Sequence, residues 1–467
     1  MSLNLPQMND MVSVGDLASL NDALRKSSVG YQTPAVPSAT DSLSALVPQS
    51  IEGTLASATY TMKELALWPA MAKRQVTNTV HEYNVIQDHG LDLDPFIAEG
   101  GGGLRNQSTY ERKNIRISYM AERREVSDVS TLVNILGSNP TAIAEETERG
   151  TMRLMQKVER QLFHGNSDVN GLGFDGIFKQ MTDGAPDNST DLAGGEIDPQ
   201  MLQGILGELS AAPKFGRPDC IYVEPKVHAN LIQQTVNYGR HDQLSVSGAS
   251  GLTFGAQNLS IMGPYGPVAV KQAPFLFTAY EAPSAASHSL ATPTITPQNQ
   301  QGQGQQPTNN GAGTSKWLAG DAGDYIWKIV AVSTGGGYSA PLTSNALTIA
   351  AGDQPRIIVD QQSGVDYFRV YRSEKDGNAD TCKFVFEVAA NANGATTIDD
   401  NQDVKYNSSK VLIASHDPGV MEFVRLLDFL RRPLAEVATT RPFLLMLFGS
   451  PVVKVPTKMW QLSNVSG

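Results

Sequence analysis

The chain has 467 residues, 40% hydrophobic and 18% charged, with a formal net charge of −11. That length suits about two to four domains, no apolar run reaches the roughly 20 residues that cross a bilayer, and Met1 to Asp10 lacks the basic start and apolar stretch of a secretory signal, so the sequence predicts a protein made and kept in a cytoplasm. The charge balance excludes a basic groove for gripping nucleic acid, because Arg123-Arg124 and Arg431-Arg432 are isolated pairs rather than a cluster.

Residues 1–50, rich in Ser, Asn, Gln and Pro, read as an extended arm with one short amphipathic stretch from Val14 to Leu24. Residues 51–75 read as a helical segment in which Leu65, Leu67 and Trp68 precede Pro69. Residues 76–125 predict a long hairpin. Val76 to Gln87 has strand character, and Asn114 to Met120 sets Ile115, Ile117 and Tyr119 on one face. Between them Pro95 and four consecutive glycines, Gly100 to Gly103, make a polar tip. Those glycines open no helix and match no phosphate-binding pattern.

The strongest helix is predicted over 140–163, inside a unit spanning 126–200. Asn139 is a good N-cap and Pro140 suits the first helical position. Ile143, Thr147, Thr151, Leu154, Val158 and Leu162 form a one-sided stripe. Glu145, Glu146 and Glu148 crowd the start while Arg153, Lys157 and Arg160 follow later, which suits the helix dipole, and Gly165 is the expected stop. Such a helix is about 36 Å long, a strut rather than a filler.

A mixed α/β region follows over 201–282: a helix through Met201 to Leu209, a buried strand from Asp219 to Val223, a second helix from Pro225 to Val236, and strand pieces within Phe254 to Val270. Over 283–409 the composition changes. Ala282 to Ser315 reads as a polar linker. From Trp317 to Ser409 the alternations around Tyr325, Trp327 and Ile329, around Tyr367 to Tyr371, and around Phe384, Phe386 and Val388 predict a β-sandwich. Residues 410–467 return to the mixed pattern, with a helix expected over Glu422 to Leu430 and strands over Arg441 to Phe448 and Pro451 to Val455. A sandwich bracketed by α/β sequence reads as an insertion, which places Tyr280 near Val411.

No catalytic, cofactor or metal site is expected. Glu145, Glu146 and Glu148 read as solvated dipole partners. The acidic groups Asp92/Asp94 and Asp399/Asp400/Asp403 lack the spacing of a calcium loop. His81 and His89 stand eight apart across a strand and loop, a poor chelating geometry, and no nucleophile elbow occurs. Cys220 and Cys382 read as buried free thiols in strands.

This order of elements resembles the major capsid proteins of tailed phages with the Hong Kong 97-type fold. Val158-Glu159-Arg160-Gln161-Leu162-Phe163-His164-Gly165-Asn166, then Gly171 to Ile177, resembles the end of that family's spine helix and the loop after it. Arg217 to Pro225 is similar to a strand and turn of its axial domain, and Asp417-Pro418-Gly419 and Pro433 to Val455 to its late strands. Tyr325 to Pro341 is similar to a fibronectin type III or immunoglobulin-like strand and loop. The resemblance implies an α+β capsid fold with an inserted all-β sandwich that decorates the outside. It implies self-assembly into hexamers and pentamers of an icosahedral head, with portal, scaffold or decoration proteins as partners. DNA would be enclosed without sequence-specific binding, the site of action would be the virion, and no membrane would be involved. Three other readings stay open: an encapsulin-like nanocompartment shell, a surface-binding adhesin module and, last, an enzyme.

Overall fold

The computed structural model describes residues 61–90, 96, 99, 101, 105–133, 141–237, 259–287, 290–295, 308–309, 315–333, 335–436 and 439–467. The expected arm, the start of the helical segment, most of the hairpin tip, Asn139 and Pro140 lie outside them.

In chain order a short helix α1 (Leu67–Ala70) leads to β1 (Lys73–Gln75), then β2 (Val80–Asp88), β3 (Thr109–Arg116), β4 (Ser118–Ser127) and the one-turn helix α2 (Asp128–Leu132). The long helix α3 (Ala142–His164) follows. Next come α4 (Ile177–Gly184), β5 (Ser189–Asp191), α5 (Pro199–Ser210), β6 (Cys220–Val223), α6 (Pro225–Asn237), β7 (Ser260–Gly263) and β8 (Gly266–Gln272).

Among the described residues, nine strands then belong to the region of the expected insertion: β9 (Thr308–Asn309), β10 (Gly323–Tyr325), β11 (Trp327–Ser333), β12 (Leu342–Thr343), β13 (Leu347–Ile349), β14 (Pro355–Val359), β15 (Val365–Arg372), β16 (Lys383–Ala389) and β17 (Thr396–Asp399). The chain closes with β18 (Ser409–Ala414), β19 (Met421–Pro433), β20 (Thr440–Val453) and β21 (Trp460–Val465).

Helix α3 begins where Thr141 accepts the amide of Ala144 and ends at His164, one residue before Gly165. Its apolar stripe, Leu154, Val158, Leu162 and Phe163, packs with Phe423, Phe443, Leu445 and Leu447 of a sheet ordered β1-β19-β20-β4. Gly165 serves a close approach rather than a left-handed turn. A Cβ there would meet Phe174 O at 2.5 Å, and the Gly176 amide bonds Gly165 O at 2.9 Å. That contact folds the glycine-rich loop back on the helix end.

The second sheet, β5-β21-β18-β6-β8-β7, is drawn from both sides of residues 283–409. Leu202, Leu206 and Leu209 of α5 and Val227 and Leu231 of α6 share a core with Ile221, Val411, Ile413 and Leu462 of this sheet. A third core, with Trp327, Ile329, Phe368 and Val370 opposite Ile357, Val359 and Ile398, lies between the sheets β12-β11-β15-β16 and β17-β14-β9. Of the other expected core residues there, Tyr367 is buried while Phe384 is half-buried and stacks on Tyr280.

Several expectations need correction. Glu422 to Leu430 is not helical; it lies inside β19, paired with β20. Bulges between Arg425 and Leu427 and between Leu427 and Leu430 break the two-residue alternation, so the apolar spacing imitates a helix. The segment read as a linker is partly built into the third core: Ile295 is buried and bridges Val359, and Thr308 pairs with Arg356. Ile115, Ile117 and Tyr119 do not share one environment, since Ile117 is buried at the joint of β3 and β4 while Tyr119 is exposed against Phe448.

Candidate assembly surfaces and the cavity at their junction

The hairpin β2–β3 pairs from Val80 opposite Arg116 to Asp88 opposite Thr109. None of the residues in these two strands is buried, and Val80, Ile86 and Tyr110 are exposed. Its base is fixed instead: Ile117 packs with Val424 and Val452, the Ser118 amide donates to Ser450 Oγ at 3.1 Å, and that hydroxyl donates to Arg116 O at 2.7 Å. An isolated two-stranded ribbon is marginal in water without a covered face. Here the ribbon is held at its base, where Tyr83 and Ile115 pack on that cluster, while Ile86 and Tyr110 in its outer part are exposed.

On α3, Glu159 is buried and accepts the amides of Ala66, Leu67 and Trp68 at 2.9, 2.6 and 2.8 Å. It thereby caps α1, whose own flanking residue Ala66 offers no side-chain cap. Burial raises its pKa, against the pull of the three amides. About two and a half turns toward the N-terminus, Gly150 lets the helix close onto the sheet, for a Cβ there would meet Leu445 Cδ1 at 2.5 Å.

The side chains weighed as chemistry from the sequence are mostly engaged in pairs. Glu145 binds Arg149 at 2.7 Å and Glu146 reaches Arg124 at 3.5 Å. Asp399 holds Arg356 by two hydrogen bonds, of 2.6 and 2.7 Å. Asp403 pairs with Lys316 at 3.1 Å. Asp400 is buried and takes Arg372 Nη1 at 2.8 Å, Trp327 Nε1 at 2.9 Å and the Gln402 amide at 3.0 Å. Among the described residues no three His, Cys, Asp or Glu gather as a metal set, and no helix is long and apolar enough to cross a membrane; Asp92 and Asp94 lie outside those residues. His81 is partly buried and burial lowers its pKa, while His89 is exposed. Cys220 in β6 and Cys382, just before β16, are buried free thiols pushed up to about 11 by desolvation.

Sequence reasoning missed a cavity of about 460 Å³ where the end of α3, β16 and β18 meet. Arg160, His164, Tyr280, Phe384, Glu387 and Lys410 are among the residues lining it. Arg160 stands over the Tyr280 ring, 4.0 Å from its centroid, and Lys410 Nζ lies 5.1 Å from that of Phe178. Tyr280 and Lys410 flank the expected insertion, so its two ends open on one cavity. Arg160 and Lys410 are 250 residues apart, and no local pattern joins them.

No family model matches the chain. The major capsid protein of Staphylococcus phage S25-3 is 21% identical over 444 residues, covering 90% of each chain. Among solved structures, the capsid of the native GTA particle covers 92% of this chain and all of its own at 9% identity and TM-score 0.46. The holo-SrpI encapsulin of Synechococcus elongatus covers 92% of this chain and 97% of its own at 10% identity and TM-score 0.43. The end-to-end sequence relatives are phage major capsid proteins, as the resemblance in the sequence implied.

Proposed function

We infer that this homologue of phage major capsid proteins is the shell subunit of a tailed-phage head, assembling with copies of itself into hexamers and pentamers around double-stranded DNA. The observation that carries the reading is the hairpin β2–β3, packed on the body at its base through Tyr83 and Ile115, with exposed Ile86 and Tyr110 farther out and no buried residue in either strand. A ribbon of this kind gains its missing contact when it lies across a neighbouring subunit. The end-to-end likeness to capsid proteins supports the same reading. An acidic chain suits a container that holds DNA without gripping it.

In this reading the first and second sheets form the shell, and residues 283–409 form a module displayed on the outer surface. Portal, scaffold or decoration proteins would be the other partners, and assembly would take place in the host cytoplasm. Electron microscopy of the protein expressed alone tests the proposal. Closed shells, tubes or capsomer rings are expected, and a monomer at every concentration and salt would overturn it. Native particles containing an enzyme cargo in place of DNA would transfer the chain to the nanocompartment reading.

A further inference from the structure

We propose that the cavity between α3, β16 and β18 binds a phosphate-type oxyanion, held by Arg160 and Lys410. Both cations line the cavity, and among the described residues neither makes a hydrogen bond or an ion pair; each only faces an aromatic ring. The carboxylates in the wall are committed elsewhere, Glu387 to Arg369 at 3.0 Å and Asp403 to Lys316 at 3.1 Å. His164 adds no charge. Its Nε2 is 2.8 Å from Leu276 O, and burial, helped by the charge of Lys410, brings its pKa down to about 3.

Two partly buried cations therefore share a pocket of mixed polar and apolar lining with no counter-ion among the described residues. An unpaired charge out of water costs several kcal/mol, and burial accordingly depresses the Lys410 ammonium below the ordinary lysine range. An oxyanion between Arg160 and Lys410 would remove that cost and accept charge-assisted hydrogen bonds from both. Gln161 and Asn166 in the same wall offer neutral amide donors. A cavity of about 460 Å³ lies in the range of small-ligand sites. The bound anion would also tie three pieces together: α3 through Arg160, β18 through Lys410, and the module through the Tyr280–Phe384 stack, whose centroids are 4.9 Å apart.

The test titrates the purified full-length protein with inorganic phosphate, chloride holding ionic strength constant, and follows the thermal unfolding midpoint. A saturable rise is expected. Arg160→Gln and Lys410→Met should each shift half-saturation at least about tenfold, the loss of one charged hydrogen bond. Exposed Lys226, outside the cavity, provides the control: Lys226→Ala should titrate like the parent. Lys410→Met should also raise the phosphate-free midpoint by removing an uncompensated charge. A rise that is linear in phosphate and common to all variants is general salting-out and overturns the site. So does stabilisation by a short DNA duplex but not by phosphate. If a variant fails to fold, calorimetric titration of the parent protein decides, and the absence of saturable heat defeats the proposal.

Discussion

Glu159 holds the amide of Leu67 at 2.6 Å, although 92 residues separate the two in sequence. With the Ala66 and Trp68 amides on the same carboxylate, this contact fastens the segment leading into β1 and the hairpin to the C-terminal part of α3. Glu159→Ala would leave three N–H groups without an acceptor and should cost about 3 kcal/mol or more, since one orphaned buried group costs about 1–3. Glu159→Gln keeps an acceptor and should lose less. Denaturant unfolding of the two variants ranks them; equal losses would mean the carboxylate only fills space.

The same residue predicts a pH dependence. Burial holds the folded-state pKa of Glu159 above its ordinary value, so the folded protein binds that proton more tightly than the unfolded chain. Its contribution to stability therefore falls as pH rises from the ordinary carboxylate range through the folded pKa. Subtracting the stability of Glu159→Gln removes the other carboxylates from the comparison. The parent should gain on the variant as pH falls across that window, and a difference that is flat or opposite in slope would refute the assignment.

Gly150 sets two effects against each other. Alanine is better than glycine inside a helix by about 1 kcal/mol. Yet the added methyl would fall 2.5 Å from Leu445 Cδ1 and 3.1 Å from Arg124 Cγ, and Leu445 is fully buried with little room to turn away. Overpacking of this kind costs about 1–3 kcal/mol, so Gly150→Ala should destabilise on balance and Gly150→Val more strongly. A rise in melting temperature for the alanine variant would show that helix and sheet can part at no cost.

The stripe on α3 was legible because one helix face carries it, and Leu154 and Val158 are almost fully buried as expected. Replacing both with Asp should cost several kcal/mol and abolish soluble assembly, as buried unpaired carboxylates do. Normal particles from the double variant would mean that the face tolerates water. Elsewhere legibility failed for physical reasons. The bulges of β19 erased its alternation, and Ile295 stood alone among polar residues, so nothing local marked it as core. The helix cap from Glu159 and the gathering of Arg160 and Lys410 in the wall of one cavity are tertiary, and no spacing rule reaches that far.

The module should be separable from the body, with boundaries wider than the sequence suggested. Body strand β18 keeps its partners without the module: Leu412 opposite Tyr222 and Ile413 opposite Ile221 and Trp460. A Gly-Ser link in place of residues 283–407 should therefore leave both body sheets intact. It would cost the Tyr280–Phe384 stack and the bonds of Asn464, whose Oδ1 accepts the Lys405 amide at 2.8 Å and whose Nδ2 donates to Asp403 O at 2.9 Å. On the module side, a fragment of residues 290–408 contains Ile295 and the short strand β9, whereas one starting at Lys316 lacks both. Burial of an isoleucine contributes about 1.5–3 kcal/mol, so the longer fragment should melt cooperatively and at higher temperature than the shorter. Inside either fragment, Arg372 and Asp400 are both buried. Removing one partner alone should cost about 3–5 kcal/mol, while replacing both with apolar residues should recover part of it. Circular dichroism melts of the fragments, with microscopy of the linked deletion, test the whole scheme. A longer fragment without a cooperative transition, or a deletion that forms no capsomers, would make residues 283–409 part of the shell instead.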